Sequence, residues 1–175
     1  MTVEMVRPDV KYKRGFLQAV RELRAEGHHR YRDVDVEALD RDFESFIAAE
    51  LNDEPSANRV PDTIYWLVEN DEFIGRISLR HYLNDFLRRY GGHIGYEVRP
   101  SRRQQGHGTH MLALLLEKAR QRGMDRVMLT CDVNNVGSRR IIEANGGVLE
   151  DIHEWPEVHS GPYYRYWIDL ASPTT

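Results

Sequence analysis

Gly106 and Gly108 stand between the end of an apolar strand at Val98 and a long helical pattern, in the stretch GYEVRPSRRQQGHGTHMLALLLEKA. Amides at a helix start have no intrahelical partner and together carry about half a positive charge, so they suit a phosphate or pyrophosphate. Glycine has no Cβ and lets the backbone approach such a group closely. Arg102 and Arg103 add cationic donors beside the loop. A P-loop reading fails, because no Gly-Lys-Ser/Thr stands at the required spacing. A dinucleotide reading fails as well: Met111 occupies the place of the third glycine, and no βαβ unit opens the chain. The plainer alternative is that the two glycines only close a turn before a core helix.

Other reactive side chains carry weaker signals. His81 and His93 flank the segment HYLNDFLRRYGGH and titrate near neutrality, although surface or hydrogen-bonded structural roles suit both better. His28 and His29 read as a pair at a helix end, and no His spacing beside a carboxylate makes a zinc site. Cys131 lies in an apolar run and reads as a small core residue rather than a nucleophile.

The elements that must position these residues follow from periodicity. Thr2 to Arg7 read as a strand, Lys11 to Glu26 as an amphipathic helix, and Val36 to Leu51 as a second helix with Leu39, Phe43, Phe46 and Ile47 on one face. LNDEPSANRVPD is a surface loop. TIYWLVEN and EFIGRISLR form a hairpin about Asn70 and Asp71, and HIGYEVRP is a further strand. HYLNDFLRRY is a short helix or an ordered loop. A helix from Gly108 to Arg122 ends at Gly123, DRVMLTCDV is a buried strand, Ser138 to Ala144 form a short helix, and VLEDIH and YYRYWIDL close the order as strands. The tail ASPTT is expected to fray.

Composition narrows the function classes. The 175 residues suit one domain, and 41% hydrophobic with 30% charged residues is a globular balance. A net charge of -4 disfavours DNA or RNA as a partner. No apolar run nears the ~20 residues of a membrane span. One cysteine and a charged N-terminus without a signal-peptide pattern point to a reducing, cytoplasmic location.

At its glycine loop the chain resembles the GNAT superfamily of acyl-CoA-dependent N-acyltransferases. The family signature is Arg or Gln, two residues, Gly, any residue, then Gly or Ala. It stands here as Arg103-Gln104-Gln105-Gly106-His107-Gly108. VMLTCDVNNVGSRRIIEANGG supplies a second element: a strand, Asn135, Ser138 where a small residue is usual, then a helix ending in glycine. The resemblance covers the chain in element order and Ile94 to Gly147 in recognisable sequence. It implies a single-domain α/β GNAT-like fold over residues 1–175, with a mixed, mostly antiparallel central sheet flanked by helices.

The resemblance further implies acetyl-CoA as co-substrate and no metal. Val98 and Arg99 would pair through their backbone with the pantetheine arm, and Gln104, Gln105, Gly106, His107, Gly108 and Thr109, with Arg103, would wrap the pyrophosphate. Asn135 and Ser138 would border the pantetheine, a role compatible with Asn135 capping the helix that follows. The usual tyrosine acid is replaced by Ile142. Tyr96, Tyr163 and Tyr164 are open as substitutes, with Tyr164 carried forward, and a thiol pKa near ~8.5 makes the thiolate a fair leaving group unaided. Glu97 is the candidate general base, although strand alternation also allows it to face solvent. The expected reaction is direct attack by a primary amine in a ternary complex. The alternative is a non-catalytic acyl-CoA-binding module. Asp33, Asp35, Glu37, Glu150, Asp151, Glu154 and Glu157 would give a mouth suited to a cationic small-molecule or peptide amine, or are merely solvated. Tyr31, Trp155, Tyr163 and Tyr164 would wall it or belong to the core. No nucleic acid or membrane partner is expected, and pairing of two copies as a homodimer is left open.

Overall fold

The computed structural model describes residues 2–171; the expected fraying of the tail falls, from Ser172 onward, outside the described residues. Strand β1 (Val3–Val6) leads into a 3-10 turn whose Asp9 side chain accepts from the Lys11 amide. Helix α1 (Lys13–Ala25) follows and buries Phe16, Leu17, Ala19, Val20 and Leu23, the stripe its spacing requires. The single helix expected from Val36 to Leu51 forms as two, α2 (Val36–Arg41) and α3 (Phe43–Glu50), because Asp42 takes φ −118, ψ 39 and breaks the helical path. Strands β2 (Asp62–Glu69) and β3 (Glu72–Arg80) form the expected hairpin. Asn70 and Asp71 sit at φ 50 and φ 62, the left-handed pair that matches strand twist in a two-residue turn. Helix α4 (Asp85–Arg89), capped by Asn84, resolves the HYLNDFLRRY ambiguity. Then come β4 (Ile94–Val98), α5 (His107–Gln121), β5 (Arg126–Asp132), α6 (Val136–Ala144), β6 (Val148–Trp155) and β7 (His159–Asp169).

The strands form two antiparallel sheets, β1-β2-β3-β4 and β5-β7-β6. This is the expected α/β class, with the sheet divided between β4 and β5. Alternation along β2 sends Ile64, Trp66 and Val68 toward α1 and α3, where Phe16 stacks on Trp66 at 4.7 Å, and sends Leu67 to the opposite face. On that opposite face α5 buries Met111, Leu112, Leu115 and Ala119 against Ile77, Ile94 and Val98 of the first sheet and Val127, Leu129 and Ile168 of the second. One apolar layer thus spans the division that the backbone ladder does not.

The sheets touch where β4 begins. The His93 amide donates to the Met128 carbonyl at 2.8 Å, and the Met128 amide donates back to His93 Nδ1 at 2.9 Å. Gly92, at φ 61, makes this approach feasible, since a Cβ there would stand 2.3 Å from the Met128 carbonyl oxygen. Beyond this joint β4 and β5 are each the edge of their own sheet and a seam opens between them.

Candidate active site

The chain leaves β4 at Val98, makes a 3-10 turn at Pro100–Arg102, and enters α5 through Gln104 (φ 59) and Gly106 (φ 82). Gly106 is the N-cap and offers no side-chain bond, and the first helical bond runs from the His110 amide to the Gly106 carbonyl. The amides of His107, Gly108 and Thr109 therefore have no partner among the described residues, as an anion site requires. The two glycines do different work. Gly106 supplies a left-handed turn with nothing within 4 Å of a Cβ position, whereas a Cβ on Gly108 would lie 2.4 Å from Ile141 Cδ1. Gly108 is thus a close-packing residue between α5 and α6, and a larger side chain there disturbs that packing before it tests ligand binding.

The arginines of the loop are not held in reserve for an anion, as the sequence suggested. Arg99 is buried between Glu22 (2.8 Å) and Glu72 (2.7 Å). Arg102 pairs with Glu69 and Glu72, and Arg103 with Glu26 while its Nε donates to the Val98 carbonyl at 3.1 Å. Burial pushes the Glu22 carboxyl up, but bonds from the Ser101 amide and Arg99 outweigh it and hold the group below its ordinary range. The loop is strapped to α1 and to the β2–β3 hairpin by matched charges. Arg99 corrects one further expectation: its amide donates to the Ile74 carbonyl at 2.9 Å, so it is committed to β3 rather than free for a ligand strand.

Across the seam, Asn135 caps α6 by accepting from the Ser138 amide at 3.0 Å, and the Ser138 hydroxyl lies 2.7 Å from that of Tyr96. Burial raises the Tyr96 phenol. Tyr164 sits opposite Cys131 and Ile152 on β7, its ring 5.8 Å from the Arg139 guanidinium. Tyr163, fully buried, donates to the Arg89 carbonyl and is spent there. Ile142 is core, so its position presents no acid. Cys131 is buried and its thiol is pushed up to about 11 by desolvation, in keeping with the core reading.

Glu97 does not face solvent. The segment joining α1 to α2 folds over it, the Tyr31 hydroxyl donates to Oε1 at 2.6 Å, and Arg30 Nε stands 3.6 Å away. Tyr31 is pushed well above the usual phenol value by burial and by the Glu97 charge. Desolvation lowers the neighbouring His28 and His29. Arg76, the cross-strand partner of Glu97, and Arg30 both line an open cleft of about 930 Å³ between α3, α4, the 55–60 loop and the ends of β2 and β3.

That cleft corrects the expected acidic mouth. Its charged lining is Arg30, Arg59, Arg76 and Arg80 against Glu50 and Asp62. None of the seven expected acids lines it: Asp35 caps α2, Asp33 pairs with Arg32, Asp151 with Arg165, and Glu150 approaches Arg165, while Glu37, Glu154 and Glu157 are exposed. Trp155 instead packs on Phe86 and Arg89. The histidines considered as bases are structural. Arg122 donates to His81 Nδ1, which leaves Nε2–H for Thr63 Oγ1, and His93 Nδ1 is occupied by the Met128 amide. Sequence reasoning missed Arg30, Arg76 and Arg80; the one available signal was alternation in EFIGRISLR, which sets Arg76, Ser78 and Arg80 on one face of an interior strand.

Residues 16–148 match the family described as acetyltransferase (GNAT) domain. Among solved structures the chain is similar to the ribosomal L7/L12 alpha-N-protein acetyltransferase RimL in complex with coenzyme A, at 19% identity and TM-score 0.70 over 97% of this chain and 94% of that one. It is similar to the microcin C7 self-immunity acetyltransferase MccE in complex with acetyl-CoA and AMP, at 18% identity and TM-score 0.68 over 95% and 92%. It is also similar to Mycobacterium smegmatis RimJ in complex with CoA-disulfide, at 16% identity and TM-score 0.70 over 95% and 81%. No curated protein matches the chain.

Proposed function

The chain belongs to the GNAT acetyltransferase family, and from that premise we propose that it moves the acetyl group of acetyl-CoA to a primary amine by direct attack in a ternary complex. The residues present fit the co-substrate: three unpartnered amides at the α5 start, an open Gly106, and a seam where β4 and β5 are both edges. Gln104 to Thr109 would hold the pyrophosphate, the Val98 end of β4 the pantetheine, and Asn135 would use its amide nitrogen while its oxygen caps α6. The bound thioester supplies the electrophilic carbonyl.

The observation that carries the proposal is Glu97: a buried carboxylate, fixed by Tyr31, on the strand that runs into the amide-rich loop, with its neighbours Arg30 and Arg76 lining the cleft. It would take the proton that an incoming ammonium must lose before it attacks. Tyr96 on β4 and Tyr164 on β7 stand on the two sides of the seam. Burial raises the Tyr96 phenol and makes it a weaker acid than a thiol, so Tyr96 would steady a departing thiolate by hydrogen bonding rather than by full protonation, and Tyr164 would offer a second hydroxyl. The core position of Ile142 favours the second reading, a non-catalytic acyl-CoA-binding module, over any mechanism with the usual acid. We place the protein in the reducing cytoplasm, consistent with its one buried thiol.

Melting temperature with acetyl-CoA, CoA, ATP and NAD added separately tests the cofactor. At 100 times its Kd a native-state ligand adds about 2.7 kcal/mol, or roughly 5 to 10 °C for a chain of this size. Only acetyl-CoA and CoA are expected to give it. CoA release with an amine panel then separates enzyme from binding module, and silence with every amine despite tight binding selects the module.

A further inference from the structure

The arginines of the cleft are unequal. Arg76 is buried in a two-bond pairing with Glu50 (2.7 and 3.0 Å), and Arg59 donates to Asp62 at 2.7 Å, so these two charges are matched. Arg80 has no carboxylate within bridging distance among the described residues. Its Nη1 donates to the carbonyls of Gly91 and Gly92, and its Nε and Nη2 have no hydrogen-bond partner there. Arg30 is 41% exposed, and its nearest carboxylate oxygen, on Glu97, is 3.6 Å away and already accepts from Tyr31. The cleft therefore holds one half-buried guanidinium, Arg80, with no carboxylate in bridging range and only Asp62 across the strand pair as a nearby negative charge, and a second, Arg30, that shares Glu97 with Tyr31; a buried charge matched so weakly is costly. A guanidinium with two free donors presents the planar fork that carboxylates and phosphates fill.

Building on the acetyl-transfer reading, we infer that the acceptor carries an oxyanion, carboxylate or phosphate, in addition to its amine, and that Arg80 and Arg30 hold the oxyanion while the amine lies toward Glu97. A cationic diamine would add a further unmatched positive charge. Desolvation holds the Arg80 guanidinium below its ordinary value, and an incoming oxyanion would supply the counter-charge that the fold leaves out. Tyr82 and Phe86 line the same cleft with exposed rings that can cover the apolar part of such a molecule.

Calorimetric titration of the CoA-saturated protein tests this, because CoA occupies the α5 anion site and leaves the cleft as the place for a second anion. The probes are O-phosphoethanolamine, β-alanine, propylamine and 1,4-diaminobutane. One or both anionic amines are expected to bind at least about tenfold more tightly than propylamine, with the stronger of the two naming the oxyanion. Arg80→Gln and Arg30→Gln are each expected to remove about tenfold of that preference, the worth of one charge-assisted contact. Arg80→Lys, which keeps charge and loses the fork, should fall between. Equal binding of propylamine or diaminobutane, no binding of either anionic amine, or unchanged affinity in both Gln variants overturns the inference. Should Arg80→Gln fail to fold because Gly91 and Gly92 lose their donor, Arg30→Gln decides. Titration of the CoA-free protein runs in parallel. Absence of CoA binding defeats the cofactor reading alone, and the amine preference is then read from the free protein.

Discussion

Replacing Glu97 with Gln is expected to lower turnover about a hundredfold or more while acetyl-CoA affinity stays within about twofold, because general base catalysis contributes 10²–10⁴ and the proposed cofactor contacts lie elsewhere. The substitution is nearly isosteric, and the amide oxygen still accepts the Tyr31 hydrogen bond, so the fold should persist. What is lost is the carboxylate oxygen that would receive the proton. The rate–pH profile is the discriminating readout. The profiles of wild type and Glu97→Gln should differ in shape at saturating acetyl-CoA. Full activity at neutral pH with an unchanged profile removes Glu97 from the reaction and leaves the base to solvent.

The second large effect is on stability. His93 is buried, accepts the Met128 amide at Nδ1, and is pushed down to about 4 by desolvation, with the Arg80 and Arg126 charges adding to the shift. The unfolded chain binds this proton near pH 6.5 and the folded chain does not. Between those values the unfolded state carries more protons, so stability rises with pH. The contribution is fully present above pH 6.5 and is lost as pH falls through 4, about 3 kcal/mol in all. His28, His29, His81 and His107 are lowered in the same direction, chiefly by desolvation, so the total loss on acidification includes them. His93→Asn isolates the one residue: its side-chain oxygen can accept the Met128 amide and does not titrate in this window. Denaturation midpoints at pH 7 and pH 4.5 should differ markedly less for His93→Asn than for wild type. An identical difference assigns the acid sensitivity to the other histidines.

Local pattern carried the scaffold. The stripe of α1, the turn at Asn70 and Asp71, and the glycine loop before α5 each rest on contacts within a few residues, and each was readable without tertiary information. Glu97 was readable as a candidate but not as a buried one, since what covers it comes from Tyr31, 66 residues earlier. The charges failed for the same reason. Arg103 meets Glu26 across 77 residues and Arg102 meets Glu69 across 33, so a basic loop that looked ready for phosphate is already neutralised. The acidic loops looked like a mouth because they are near the expected place in chain order. The wall that forms is instead built from α3, α4 and the far ends of β2 and β3, whose meeting no spacing encodes. Helix breaking at Asp42 is subtler still, because the apolar period runs through it unbroken.

The seam between β4 and β5 has a mechanical consequence. Where a ladder is continuous, opening one strand costs the bonds on both of its sides; here, among the described residues, the two sheets are joined by backbone bonds about His93 and Met128, by the Gly91 amide donating to Thr130 Oγ1, and through the side chains beneath α5. The β5-β7-β6 sheet can therefore act as a separate opening unit, with amide exchange faster than in β2 and β3. A ligand that occupies the seam would work as a rivet, slowing exchange across β5 more than its contact area alone would suggest.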